Sequence, residues 1–352
     1  MAVPLHWKIR RNLRSLLNKI LLKILNQKVN FDKIDPSKIE RILLVRLNYR
    51  IGNIIFMTPL IRSIEKYMPH VKIDMLVGAS FTKPIIQDMP NIDKMYDLPR
   101  SMLKSPIKLM KFVNEVNQNN YDIVISPVSG SVSSNIALWL LKAPIKLGIY
   151  EEDKYSPFNR VVKPTIDCHH SALQPLALMD IFFDESKEYI NYLDIALSED
   201  EKISGKNRLD SIVSTQNQKI VGIFRDARND KKIPDSWWIE YIEAIKKKDQ
   251  NIIFIDILKP DEIKPLVKDM LYFKEKNLRE LAKFLSSLDR FICADTGPMH
   301  LASASLTPVI ALFNTTSPSL YGPLGLKDEV LMMNNSIEDV ANDTIAIINK
   351  ED

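Results

Sequence analysis

The residues of this chain best suited to chemistry are Asp295-Thr296-Gly297-Pro298-Met299-His300. They leave a strand-like run, Arg290–Ala294, and lead through Leu301-Ala302 to a second apolar run, Val309–Phe313. Pro298 suits a first helical turn, where the N–H it lacks would be unbonded anyway. Asp295 or Thr296 can cap that turn, and Gly297 lets a ligand approach the backbone closely. Free N–H groups and the positive end of a helix dipole attract anions. With a hydroxyl and an imidazole beside them, the natural ligand is a phosphate.

Two further clusters could serve the same ligand. Phe224–Pro234 carries Arg225, Arg228, Lys231 and Lys232 on the loop that follows another strand-like run. Lys231 or Arg228 could neutralise a diphosphate, Arg by forking to two oxygens; the plain alternative is a solvated charged loop. Arg46–Asn53 forms a strand-to-helix turn in which Gly52 permits tight geometry and Asn53 can cap a helix from Ile54. Any first turn of a parallel domain would look similar. His300 could bond a phosphate or simply fix its own turn.

No Asp-x-Asp, Walker A loop, Gly-x-Gly-x-x-Gly or serine nucleophile elbow occurs. Charge developing on a leaving group must then be met by helix dipole, hydroxyls and Lys or Arg. No metal site and no cofactor are expected.

These turns need elements that aim them at one place. Strand-like runs lie at Arg41–Leu47, Val71–Val77, Ile123–Ser126, Ile145–Gly148, Lys219–Phe224, Asn251–Ile255, Arg290–Ala294 and Val309–Phe313. Helices are predicted near 54–68, 104–119, 131–142, 235–248, 260–270, 278–287 and 337–348. Such alternation implies parallel sheets covered on both faces. Two series, separated by an irregular stretch at 150–200, predict an α/β chain of two Rossmann-like, doubly wound domains facing a central cleft. The expected boundaries are an arm at 1–35, domains at 36–190 and 191–335, and a helix at 336–352 that could cross back to the first domain. Ligands in such sheets bind at the carboxyl ends of the strands, where both glycine-bearing turns lie.

The 352 residues suffice for two full cores. The net charge is +4, yet residues 1–30 hold Lys8, Arg10, Arg11, Arg14, Lys19, Lys23 and Lys28 with no acid, leaving −3 for the rest. The body is therefore no nucleic-acid binder. Within 7–27, Ile9, Leu13, Leu16, Leu17, Ile20 and Ile24 recur at helical spacing. This basic amphipathic helix could lie on an anionic membrane or pack on the body. No apolar run approaches the ~20 residues of a membrane span, and Lys19 and Lys23 interrupt any signal-peptide core. Cys168 and Cys293, far apart, read as free thiols of a reducing compartment.

Asp295–Ala302 with Thr307–Phe313 and Tyr321-Gly322-Pro323-Leu324-Gly325 resembles the signature of glycosyltransferase family 9, the lipopolysaccharide heptosyltransferases and their relatives. Asn277–Ala282, Ile42–Leu47, Gly52, Thr58-Pro59-Leu60, and Lys231 with Pro234 and Trp238 fit the same pattern, as does the segment led by His170. The resemblance covers about residues 40–349. It implies a GT-B fold and inverting, metal-independent transfer from a nucleotide-diphosphate sugar, ADP-heptose in the best-known members. The expected acceptor is a lipid-linked saccharide such as lipopolysaccharide core, at the inner face of the cytoplasmic membrane of a Gram-negative bacterium.

By that resemblance Asp295, Thr296, Gly297, Met299, His300 and Arg228 hold the donor and Lys231 neutralises it, while Asn48, Arg50, Gly52 and His170 lie on the acceptor side. One departure stands out. The family usually has Asp after the first-turn glycine as general base, whereas this chain has Asn53 and a loop one residue longer. An amide accepts no proton at neutral pH, so Glu151, Asp153, His169 or His170 would have to serve, or the acceptor would need little help. The competing expectations are a nucleotide-sugar epimerase or hydrolase, and a non-catalytic nucleotide-sugar binder.

Overall fold

A computed structural model describes residues 12–13, 15–17, 19–20, 23–102, 105–128, 132–151, 156–163, 169–184, 187–214, 217–262, 264–314 and 316–350. Among these residues the strands form two six-stranded, wholly parallel sheets. The first comprises β1 (Arg41–Arg46), β2 (Lys72–Val77), β3 (Ile92–Asp97), β4 (Ile123–Ile125), β5 (Ile145–Ile149) and β6 (Arg160–Val162), in the order β3-β2-β1-β4-β5-β6. The second comprises β7 (Lys219–Phe224), β8 (Ile252–Leu258), β9 (Tyr272–Lys274), β10 (Arg290–Ala294), β11 (Val309–Phe313) and β12 (Glu329–Met332), in the order β12-β11-β10-β7-β8-β9. Each sheet reverses its strand order once, between β1 and β4 and between β7 and β10. These are the topological switch points at which open α/β sheets take ligands.

The eight runs read from the sequence are the eight interior strands. β3, β6, β9 and β12 escape that reading, and all four are sheet edges. An interior strand is covered on both faces and reads as an apolar run. An edge strand such as β3, Ile92-Asp93-Lys94-Met95-Tyr96-Asp97, is half exposed and polar enough to resemble a loop.

The helix expected over 54–68 divides into Ile51–Ile55 and Thr58–Tyr67, the latter with Pro59 in its first turn. Among the described residues of 260–270 there is no helix; Pro260 opens that stretch and Pro265 interrupts it. An unforeseen helix, Glu199–Asp210, begins with a capping box in which Ser198 and Glu201 bond each other's backbone. The C-terminal helix, Ile337–Ile348, packs along Asp235–Lys248, where the Tyr241 hydroxyl meets Thr344 at 2.6 Å. It thus belongs to the second domain's own layer.

Core packing continues from one domain into the other. Helix Ile51–Ile55 lies against helix Gly297–Ala304, so the two switch-point turns touch. A Cβ on Gly52 would stand 2.8 Å from His300 Cδ2, and one on Gly297 would stand 3.3 Å from Ile51 Cβ. Close approach between domains, more than a tight turn, is why position 52 is glycine. Arg279, buried, adds a second tie: its guanidinium pairs with Glu201 at 2.7 Å and donates to the carbonyls of Ile85 and Ile195.

The described residues of 12–25 are helical, and Leu13, Leu16, Leu17, Ile20 and Ile24 are at least half exposed. The apolar stripe of the arm is therefore not packed on the body at these positions. No helix among the described residues is long and apolar enough to cross a membrane.

Candidate active site

Three loops at the carboxyl edge of the second sheet converge on one carboxylate. After β7 the chain makes a short 3-10 turn, Asn229–Lys231, closed by the Lys231 N–H on the Arg228 carbonyl at 3.3 Å. That turn lifts Lys231 across the switch point, where its ammonium donates to Asp295 Oδ2. Thr316, on the loop after β11, donates its hydroxyl to the same oxygen at 2.7 Å. Asn314 joins the first and third loops by donating to the Asp230 carbonyl at 3.1 Å.

Helix Gly297–Ala304 starts at this cluster. Its N-cap, Thr296, is extended and forms no side-chain cap bond, so the hydroxyl is not used on its own backbone. Thr296 and Gly297 are half-buried, leaving the first turn reachable. Lys231 is about a third exposed at its side chain (32%), a cation held beside that turn with part of its surface still open.

The other residues expected to bind here are placed differently from one another. Asp295 is engaged by Lys231 and Thr316, so it positions the cation. Met299 is wholly buried and belongs to the core. The His300 ring is 6% exposed, packs edge-on to Phe56 at 4.7 Å between centroids, and has Nδ1 sealed without a partner. Burial pushes its pKa down to about 4, so the ring is neutral and brings no charge to an anion. The Arg228 side chain is exposed.

In the first domain, β1 ends at Arg46. Helix Ile51–Ile55 begins before Asn53, which sits inside its first turn; the N-cap is Arg50, without a side-chain cap bond. Arg46 holds Asn53 from below, donating Nε to its carbonyl at 3.3 Å and Nη2 to its side-chain oxygen at 3.1 Å. Asn48 closes the preceding loop by accepting the Arg50 N–H at 3.1 Å. The Arg50 side chain is exposed, and the Arg100 guanidinium lies 4.1 Å from the Tyr49 ring centroid.

His170 has both ring nitrogens engaged by the backbone. Its Nε2 donates to the Gly322 carbonyl at 3.1 Å and its Nδ1 accepts the Ala172 N–H at 3.1 Å, in a buried position. Nε2 fastens the first domain to Gly322, in the turn after Tyr321, while Nδ1 holds the ring on its own turn, and burial lowers the ring's pKa. Glu151 is half-buried and His169 exposed, while Asp153 lies outside the described residues. Among the described residues no three His, Cys, Asp or Glu stand together as a metal site would require.

Sequence reasoning missed Thr316 and Arg46. The polar stretch after β11 was a usable signal, because every such loop opens on the same edge as Asp295. Arg46 carried no signal, since its importance lies in its contact with Asn53.

Two parallel Rossmann-like domains, meeting at their switch-point turns with an anchored cation beside an open helix start, define a GT-B glycosyltransferase. The profile of glycosyltransferase family 9 (heptosyltransferase) matches residues 109–345. The chain belongs to that family. Lipopolysaccharide heptosyltransferase 1 of Campylobacter coli is 28% identical over 298 residues, covering 78% of this chain and 84% of the relative. Among solved structures, a family 9 glycosyl transferase from Veillonella parvula superposes with a TM-score of 0.74 at 18% identity, covering 93% of this chain and 100% of that one. The heptosyltransferase WaaC of E. coli with ADP gives 0.69 at 21% identity, covering 88% and 99%.

Proposed function

We propose that this enzyme transfers a sugar, with inversion and without a metal, from a nucleotide-diphosphate donor to a saccharide of the lipopolysaccharide core. The observation that carries the reading is Lys231, fixed by Asp295 beside the open turn Thr296–Gly297. A departing diphosphate there would meet an ammonium, a free hydroxyl and a helix N-terminus, which together stabilise developing negative charge. Heptose as the sugar and ADP as its carrier are supported by the relatives' names and by the ADP in the E. coli structure. The acceptor hydroxyl would enter from the Arg46–Asn53 side, across the contact between Gly52 and His300.

The exposed leucines and isoleucines of the basic arm support a seat on the inner face of the cytoplasmic membrane, where a lipid-linked acceptor would be presented. A non-catalytic reading has Asn53 in its favour, because an amide is no base. One assay separates the readings: ADP-heptose turnover with and without a lipid-linked core acceptor. Transfer only with acceptor supports the proposal, acceptor-independent ADP release would make the chain a hydrolase, and binding without turnover would make it a nucleotide-sugar binder.

A further inference from the structure

Arg46 differs from four other arginines that the fold shelters. Arg41 is paired with Asp74 and Asp93, Arg62 with Glu65 and Asp194, Arg225 with Asp235 and Asp256, and Arg279 with Glu201. Arg46 makes both its hydrogen bonds to neutral oxygens of Asn53 and pairs with no carboxylate among the described residues. Burial pushes its pKa down to about 10 with no neighbouring charge to offset it. A desolvated cation without a counter-charge is costly, and folds ordinarily supply one.

The guanidinium is also incompletely used. Nε and Nη2 each donate once to Asn53; among the described residues Nη1 has no acceptor, and it is not sealed off as an unpartnered buried atom. Its free edge therefore presents adjacent N–H groups, the fork that grips two oxygens of one carboxylate or phosphate. Arg46 is the last residue of β1, at the switch point of the first sheet, so this edge opens where a doubly wound domain takes its ligand. Lys231 and the 297–304 helix already provide for a diphosphate in the other domain.

We infer that Arg46 is the floor of an oxyanion subsite for a phosphate or carboxylate carried by the acceptor saccharide. The inference rests on the sugar-transfer reading for the word acceptor. It also accounts for Asn53. The amide orients the guanidinium through neutral oxygens and leaves its charge for the ligand, whereas a carboxylate there would neutralise it.

The test is inorganic phosphate, and separately acetate, titrated at constant ionic strength into the full-length chain, with and without saturating ADP, followed by thermal unfolding. A rise in Tm is expected on top of the ADP response from at least one of the two anions, which also names the class of group. That added rise should vanish in Arg46→Gln and in Asn53→Asp. Asn53→Asp places a favourable charge in a helix first turn, so it should fold and, without anion, melt no lower than the parent. In transfer assays it should raise the acceptor KM about tenfold, the loss of one charge-assisted bond, with little change in kcat. An anion response persisting in both variants, or no response to either anion in an ADP-responsive parent, overturns the subsite. So does an Asn53→Asp enzyme with raised kcat and unchanged acceptor KM, which would mark the position as a vacant base. A chain blind to ADP that still shows the Arg46-dependent anion response would instead defeat the donor-site reading.

Discussion

Lys231 and Asp295, 64 positions apart, form an ion pair across the switch point of the second sheet. Neither residue's role follows from its own neighbours. The lysine comes from the loop after β7 and the aspartate from the loop after β10. Their meeting turns a mobile surface cation into one with a fixed position beside the start of helix Gly297–Ala304.

Removing that cation should weaken donor binding. Lys231→Ala is expected to lower ADP affinity about 10- to 100-fold, the range for a lost charged hydrogen bond. Asp295→Asn should have a smaller effect, since the ammonium stays but loses its anchor. The double variant should be no worse than Lys231→Ala alone, because the two act as one unit. Calorimetric titration with ADP measures all three, and strict additivity would mean the aspartate acts independently of Lys231.

The contact between domains is sensitive to a single methyl group. Gly52→Ala places a Cβ 2.8 Å from the buried His300 ring, and Gly297→Ala only 3.3 Å from Ile51. The first should cost about 1–3 kcal/mol in urea unfolding, as overpacking does, and the second clearly less. Equal losses would show that the interface yields as easily at both points.

His300 makes stability depend on pH. Its pKa is about 4 in the fold against 6.5 ordinarily, so the unfolded chain binds the extra proton first. The contribution of this buried neutral ring is complete above about pH 6.5 and declines as pH falls towards 4, by about 3 kcal/mol at most. Urea midpoints across that range should flatten in His300→Gln relative to the parent. Parallel curves would assign the acid sensitivity elsewhere.

The arm can be silenced without touching either domain. Replacing Leu13, Leu16 and Leu17 by serine removes exposed side chains, so Tm should stay within a degree or so of the parent. Co-sedimentation with vesicles containing phosphatidylglycerol should fall several-fold, because both apolar burial and charge hold such a helix to a bilayer. Undiminished sedimentation would take membrane contact away from the arm.

Much of the architecture was legible in local sequence. The interior strands β1, β2, β4, β5, β7, β8, β10 and β11 announce themselves because burial on both faces leaves mostly apolar residues. The helix Asp235–Lys248 was bounded correctly, its exposed and buried faces alternating after Pro234. The edge strands were not legible, because β9 buries only Phe273 of its three residues. Met299 and His300 looked like ligands from their place in a turn, and only packing reveals that both side chains point into the core.

By itself, then, the sequence determined the alternation of strands and helices, the glycine-bearing turns at two strand ends, and a helix start suited to phosphate. Each is set by residues within one turn or one strand of each other. Tertiary structure decided what those residues do. It joined Lys231 to Asp295, closed Gly52 against His300, used Nε2 of His170 to tie the domains, and left Arg46 leaning on an amide. Charge, burial and hydrogen bonding between distant segments set those roles, and none of the three is carried by a residue's neighbours in the chain.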